Sequence, residues 1–204
     1  MLRMGVLVSG GGTNLQAIID KLKLGGISNC EIAVVVSSKP GVYALERAAS
    51  AGIPTEIVEK SKVEDFDQAL IDALATHHAD FVVLAGFMSI LGAKFISKFQ
   101  HKIINVHPAL IPSFCGKGFY GLIPHKAALD YGVKVTGATV HFVTEGADEG
   151  PIILQKAVEI CEGDTPEILQ QRVMQLAEWE ILPQAIDLYC AGKLQVDGRV
   201  VHIK

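Results

Sequence analysis

Met4-Gly5-Val6-Leu7-Val8-Ser9-Gly10-Gly11-Gly12-Thr13-Asn14 is the stretch that decides the fold. The apolar run Met4 to Val8 enters a glycine cluster, and a helical pattern from Asn14 to Leu24 begins directly after it. A buried strand passing through a glycine turn into a helix starts a strand–helix–strand unit. The same beat repeats downstream: Glu31 to Val36 predicts a strand, Val42 to Ala51 a helix, and Thr55 to Val58 a short strand. Glu64 to His77 predicts a helix, with Phe66, Leu70, Ile71 and Leu74 at helical spacing. Phe81 to Leu84 and Lys102 to Val106 are near-continuously apolar, as strands covered on both faces must be. The reading is an α/β fold with a doubly wound, mostly parallel Rossmann-like sheet.

The second half changes character. Ala127 to Tyr131 reads as the end of a helix. Val135 to Val143 and Ile152 to Ile160 are then two strands with no room for a full helix between them, so they are expected to pair antiparallel as an extension of the sheet. Thr165 to Ala191 predicts a long helix that Pro183 should kink or divide, and Leu194 to Ile203 around Asp197-Gly198 predicts a hairpin. With no repeat, low-complexity segment or linker in its 204 residues, the chain reads as one domain. Its expected parts are a phosphate-binding half over about 1–100, a second half over about 101–190, and the hairpin tail.

Composition narrows the function. Eighteen Lys and Arg against 22 Asp and Glu give a net charge of −4, which excludes nucleic-acid binding by bulk charge. The charge-free run Phe81 to Ala93 falls short of the roughly 20 residues a membrane helix needs. Met4 to Val8 is too short for a secretory core. The four cysteines lack any Cys-x-x-Cys pair, so neither a disulfide framework nor a zinc site is expected. His77, His78, His101 and His202 show no metal-ligand spacing and are assigned to the surface. A reduced, cytoplasmic protein is the expectation.

Three motifs carry chemistry. Glycines 10–12 before a helix let the backbone approach a ligand whose negative charge the helix N-terminus favours; Thr13 and Asn14 add side-chain donors or caps. A dinucleotide fingerprint wants Gly where Leu15 stands and an acidic residue where Ser37-Ser38-Lys39 stands, and no Walker Gly-Lys-Ser/Thr occurs. A smaller phosphate ester fits better. Asn105-Val106-His107-Pro108 ends a strand, where α/β sheets place their chemistry, with the bend at Pro108 expected to bring Asn105 and His107 to one site. Thr144 to Pro151 reads either as an acidic surface turn or as a binding loop with Asp148 or Glu149 turned inward. His141 reads as a hydrogen-bonded core residue.

Gly5 to Ile18, Val83 to Met88, Asn105 to Pro112 and Val140 to Gln155 together resemble the glycinamide ribonucleotide (phosphoribosylglycinamide) formyltransferase family, in register from about Gly5 to Pro183. The resemblance implies transfer of a formyl group from 10-formyltetrahydrofolate, a cosubstrate, to the amine of the ribonucleotide in purine synthesis, without a metal. Its catalytic residues would be Asn105, His107 and Asp148. Gly12, Thr13 and Asn14 would cradle the phosphate, and Gln175 and Glu178 would reach the rest of the ribonucleotide. Met88, Ser89, Ile90 and Leu91, together with Asn105 and the segment Thr144, Glu145, Gly146, Ala147 and Asp148, would hold the folate.

The chain departs from the family at Ser89 and at Lys62-Val63, where many relatives carry Arg on the folate side. Partners would be small molecules, with no nucleic acid or membrane, and the assembly a monomer or homodimer. A charged His107 beside a carboxylate is expected, and Ser113 to Gly121 reads either as a mobile lid that carries Lys117 or as a rigid loop packed by Phe114, Phe119 and Tyr120. The alternatives are a formyltetrahydrofolate hydrolase and a non-catalytic folate- or nucleotide-binding module.

Overall fold

In the first half of the chain every paired strand runs parallel to its neighbour. The computed structural model describes all 204 residues, which form two compact units, Met1–Ile104 and Asn105–Lys204. In the first unit β1 (Leu2–Val8) lies between β2 (Cys30–Ser37) and β4 (Phe81–Leu84), and β3 (Thr55–Ile57) pairs with β2. The helices α1 (Thr13–Lys23), α2 (Tyr43–Ser50) and α3 (Phe66–Thr76) supply the crossovers that parallel strands require. Val6, Leu7, Val8, Val34, Val35 and Val36 are fully buried, as are Leu15, Ile18, Leu70 and Leu74 from the helices. This accounts for the near-continuous apolar runs. The Asp65 carboxylate caps α3 by accepting from Gln68 N at 2.9 Å.

One helix of this unit was not expected. The six residues Ala93–Lys98 form α4, and what starts it comes from elsewhere in the chain. Asp67, in the first turn of α3, accepts from Gly92 N at 3.0 Å and from Phe95 N at 3.2 Å. A cap supplied by another helix leaves no local signature.

The second unit contains most of β5 (Ile103–His107), then α5 (Ile123–Tyr131), β6 (Val135–Phe142) and β7 (Ile152–Glu159), followed by α6 (Pro166–Val173), α7 (Trp179–Cys190), β8 (Leu194–Asp197) and β9 (Val200–Ile203). β6 and β7 pair antiparallel as expected, with Thr136 opposite Val158 and Thr139 opposite Gln155, and a register shift falls between Val140 and His141. β8 and β9 form the hairpin, and β9 touches β7 in parallel at Ile152 and Val200. Between β6 and β7 Gly150 leaves no room for a side chain, because a Cβ there would lie 1.7 Å from the Phe142 carbonyl oxygen.

The long helix is divided, though not at Pro183. A π-helical turn, Met174–Glu178, separates α6 from α7, while Pro183 lies inside α7. A proline ring collides with the carbonyl four residues earlier, here Trp179, and the widened turn ends immediately before that residue. The irregularity thus sits upstream of the residue that signals it. The fold class is mixed α/β, mostly parallel with an antiparallel extension.

Candidate active site

Two loci carry the expected residues, one in each unit. In the first unit the loop after β1 gives α1 a glycine N-cap: Gly12 has φ 72° and ψ 33°, a conformation that only glycine adopts freely. A Cβ there would also lie 2.7 Å from Ala44 Cβ, because α2 packs directly behind the loop. Thr13 is half-buried and Asn14 buried. Ser9 Oγ lies 2.6 Å from Ser38 Oγ and accepts from Met88 N at 2.9 Å, which ties the Met88–Leu91 segment to the loop. Within that segment Met88 and Ile90 are exposed, Ser89 is half-buried and Leu91 is buried. Lys62 ends a short 3-10 turn and pairs with Glu59 at 2.6 Å, and Val63 is half-buried.

In the second unit Asn105 and His107 lie two apart on β5. Residues at that spacing share a face, so the bend at Pro108 is not what brings them together. What the bend does need is an anchor. Thr139 Oγ1 donates to Ala109 O at 2.7 Å and accepts from Ile111 N at 3.1 Å and from Gln155 Nε2 at 3.0 Å. These bonds fix the chain leaving His107 against β6 and β7.

Asp148 is turned inward, and Glu149 is exposed. Asp148 Oδ2 stands 3.4 Å from His107 Nδ1 and accepts from Gly116 N at 2.8 Å; Oδ1 stands 3.6 Å from His141 Nε2. On the other side of the ring, His107 Nε2 donates to the Phe114 carbonyl at 2.9 Å. A carbonyl can only accept, so Nε2 carries a proton. The tripeptide Phe114 to Gly116 thereby grips both members of the pair, one with a carbonyl and one with an N–H. Phe114 (φ 49°) and Asp148 (φ 58°) are two of the five non-glycine residues with left-handed backbone. Such conformations cost energy and concentrate where a site needs them.

The reading of the core histidine was incomplete. His141 is buried and hydrogen-bonded, but its partner is the candidate catalytic asparagine. His141 Nδ1 donates to the Phe142 carbonyl at 2.8 Å, so Nε2 is the acceptor for Asn105 Nδ2 at 3.1 Å. One amide hydrogen of Asn105 is thus used, and the amide plane is fixed. The β6 register shift directly before His141 belongs to the same arrangement, since bulges re-aim side chains. The signal available in the sequence was the one imidazole in the strand leading to Asp148.

The expected charge on His107 is corrected. Burial pulls its pKa below the usual 6.5; the Asp148 carboxylate and the Phe114 carbonyl oppose this, His141 adds to it, and burial prevails. The resting imidazole is therefore mostly neutral at pH 7. For Asp148, burial raises the pKa, but His141, the His107 ring and the Gly116 N–H together hold it below the usual carboxylate value. The pair rests as neutral histidine beside charged carboxylate.

Thr144, Glu145 and Ala147 are exposed and Gly146 is half-buried. Gln175 and Glu178 both fall in the π-helical turn, Gln175 exposed and Glu178 buried. π-turns often mark functional positions. Of the residues assigned to the surface, His77 is partly buried, 3.2 Å from Glu56 Oε1. In the segment proposed as a lid, Lys117, Gly118, Tyr120 and Gly121 are exposed, while its start is held by His107 and Asp148. A residue that sequence reasoning missed is His125, which is fully buried on α5 with neither ring nitrogen hydrogen-bonded.

The arrangement has clear relatives. Residues 2–186 match the formyl transferase family. The chain is 40% identical to the phosphoribosylglycinamide formyltransferase of Bacillus subtilis, over 95% of this chain and 99% of that one. It is 44% identical over 99% of its length to the trifunctional purine biosynthetic protein adenosine-3 of Homo sapiens, of which it spans only 20%. The crystal structure of glycinamide ribonucleotide transformylase 1 from Symbiobacterium toebii superposes with a TM-score of 0.93 at 45% identity, over 100% of this chain and 94% of that one. With a family match over nearly its whole length and a full-length relative of the same kind, the chain belongs to the formyl transferase family.

Proposed function

We propose that the chain transfers the formyl group of 10-formyltetrahydrofolate to the amine of phosphoribosylglycinamide, yielding the N-formyl product and tetrahydrofolate, in the cytoplasm and as a single catalytic domain. The observation that carries this reading is the convergence of Asn105, His107, His141 and Asp148, in which His141 takes one amide hydrogen of Asn105 and the His107 imidazole stands between the Asp148 carboxylate and the Phe114 carbonyl.

Acyl transfer to an amine needs a donor for the tetrahedral oxyanion and a group that takes a proton from the nucleophile and returns it to the leaving nitrogen. The second amide hydrogen of Asn105 supplies the donor, with His141 fixing its direction. His107 moves the proton. At rest its Nε2 is occupied by the Phe114 carbonyl, so substrate meets that nitrogen only when the carbonyl withdraws, which calls for movement of the segment Ser113 to Gly121. The ring proton then passes to Nδ1, facing the Asp148 carboxylate, and Nε2 becomes the base. The amine attacks the formyl carbon and its proton goes to Nε2. The resulting imidazolium, stabilised by Asp148, hydrogen-bonds the oxyanion. Collapse breaks the bond from carbon to N10 as Nε2 returns the proton to that nitrogen.

The ribonucleotide's phosphate is assigned to Gly12, Thr13 and Asn14, and the rest of that substrate to Gln175 and Glu178. The folate is assigned to Met88, Ser89, Ile90 and Leu91 and to Asn105 with Thr144 to Asp148. The test is tetrahydrofolate formation from 10-formyltetrahydrofolate with and without phosphoribosylglycinamide. Dependence on the ribonucleotide, with formation of its N-formyl derivative, is expected. Equal turnover without it, releasing formate, would make the protein a hydrolase, and no turnover in either case would make it a binding module.

A further inference from the structure

α2 does more than pack against the glycine loop. Arg47, half-buried on that helix, donates from Nε to the Gly11 carbonyl at 2.9 Å and from Nη1 to Gln16 Oε1 at 2.9 Å. Its guanidinium lies 4.8 Å from the centre of the Tyr43 ring. Gln16 in turn donates from Nε2 to Asp20 Oδ1 at 2.8 Å, which fixes its amide with the oxygen toward Arg47. One residue earlier in the loop, the Gly10 carbonyl accepts from Ala44 N at 3.2 Å.

A peptide unit is planar and trans, so its carbonyl and its N–H point in opposite directions. Holding the Gly10 carbonyl against α2 aims the Gly11 N–H away from α2. Holding the Gly11 carbonyl on Arg47 does the same for the Gly12 N–H. Anion-binding loops work only when successive N–H groups converge on the ligand and the carbonyls turn outward. On the side of Gly10 and Gly11 where a side chain would project, nothing lies within 4 Å.

We propose that Arg47 is a positioning residue for the phosphate of the ribonucleotide. It holds the Gly11 carbonyl back so that the Gly12 N–H faces the phosphate, and adds a positive charge behind the loop. This rests on the reading of Gly12 to Asn14 as the phosphate cradle. A fork of two donors at fixed angle is what the contact uses, so Lys is no substitute despite its charge.

The test compares Arg47→Gln, Arg47→Lys and Gly12→Val in steady-state kinetics, with inorganic phosphate as competitive inhibitor against the ribonucleotide. Arg47→Gln should raise the KM for the ribonucleotide at least ~10-fold and weaken phosphate inhibition in step, as loss of a charge-assisted contact implies. The KM for the folate and kcat should stay within about twofold, a split that general loosening of the fold would not give. Arg47→Lys should recover less than half of the loss on a logarithmic scale. If Gly12→Val raises the ribonucleotide KM and Arg47→Gln does not, the proposal is overturned and the cradle stands. If neither variant moves it, the cradle reading itself fails. Full recovery by Arg47→Lys would overturn the orienting role in favour of charge alone.

Discussion

The loop Ser9–Asn14 and the cluster around His107 are built in opposite ways. The loop offers backbone, and side chains from α2 shape that backbone from behind. The cluster offers side chains, and the backbone of Phe114 and Gly116 shapes them from outside. A backbone cradle depends on the absence of side chains and on close approach, so its requirement is steric and appears in the sequence as glycine. A side-chain cluster depends on which nitrogen carries a proton and how much water is excluded. Those properties arise from neighbours distant in sequence and leave little local trace.

The contrast can be broken in several ways, and the largest expected effect is steric. Gly150→Ala would place a Cβ against the Phe142 carbonyl, and backbone cannot yield as a side chain can. The cost should reach about 3 kcal/mol, the upper range for overpacking, and urea unfolding would measure it. A wild-type midpoint would show that the turn relaxes freely.

A comparable effect comes from His125. Its burial, with a smaller contribution from the nearby His107, pushes the pKa down to about 4. The unfolded chain takes up the proton near pH 6.5 and the folded one resists it. The contribution of His125 is therefore fully present above pH 6.5 and is lost as pH falls toward 4, about 3 kcal/mol in all. His125→Leu should flatten that part of the stability-against-pH curve. Curves that stay parallel would mean the ring finds a partner on protonation.

Next come the candidate catalytic residues. Asp148→Asn and His107→Ala should each lower kcat/KM by at least ~100-fold, and the double variant should be little worse than either, because groups acting as a unit are not additive. Losses that simply multiply would make Asp148 a folate contact independent of His107. Smallest is Gly12→Val: the ribonucleotide KM should rise at least ~10-fold with the folate KM nearly unchanged, because a β-branched side chain disfavours the positive φ and meets Ala44. Equal effects on both substrates would remove the loop from phosphate binding.

The same contrast explains what was legible in the sequence. The strands β1, β2, β4, β6 and β7 were read to within about two residues, because covered parallel strands and turn-bounded antiparallel ones impose their own patterns. The glycine loop, Asn105 and His107 followed from residue type and position, whereas the segment Thr144 to Pro151 read either as a surface turn or as a loop with Asp148 or Glu149 turned inward. α4 escaped because Asp67 caps it from another helix, and the π-turn because it lies upstream of Pro183. His141 was seen as buried but not as the partner of Asn105, a pairing made across strands. The charge of His107 was misjudged because weighing a carboxylate against burial requires knowing how deeply the ring is buried, and only 4% of it is exposed.

That charge is where the mechanism is most exposed to test. A 15N-histidine NMR titration of the unliganded protein reads both the tautomer and the pKa of His107. The expected result is a ring with its proton on Nε2, mostly neutral at pH 7, titrating below 6.5, and shifted further down by Asp148→Asn, which removes the charge opposing burial. An imidazolium already formed at pH 7, or a pKa that rises when the carboxylate is removed, would contradict it.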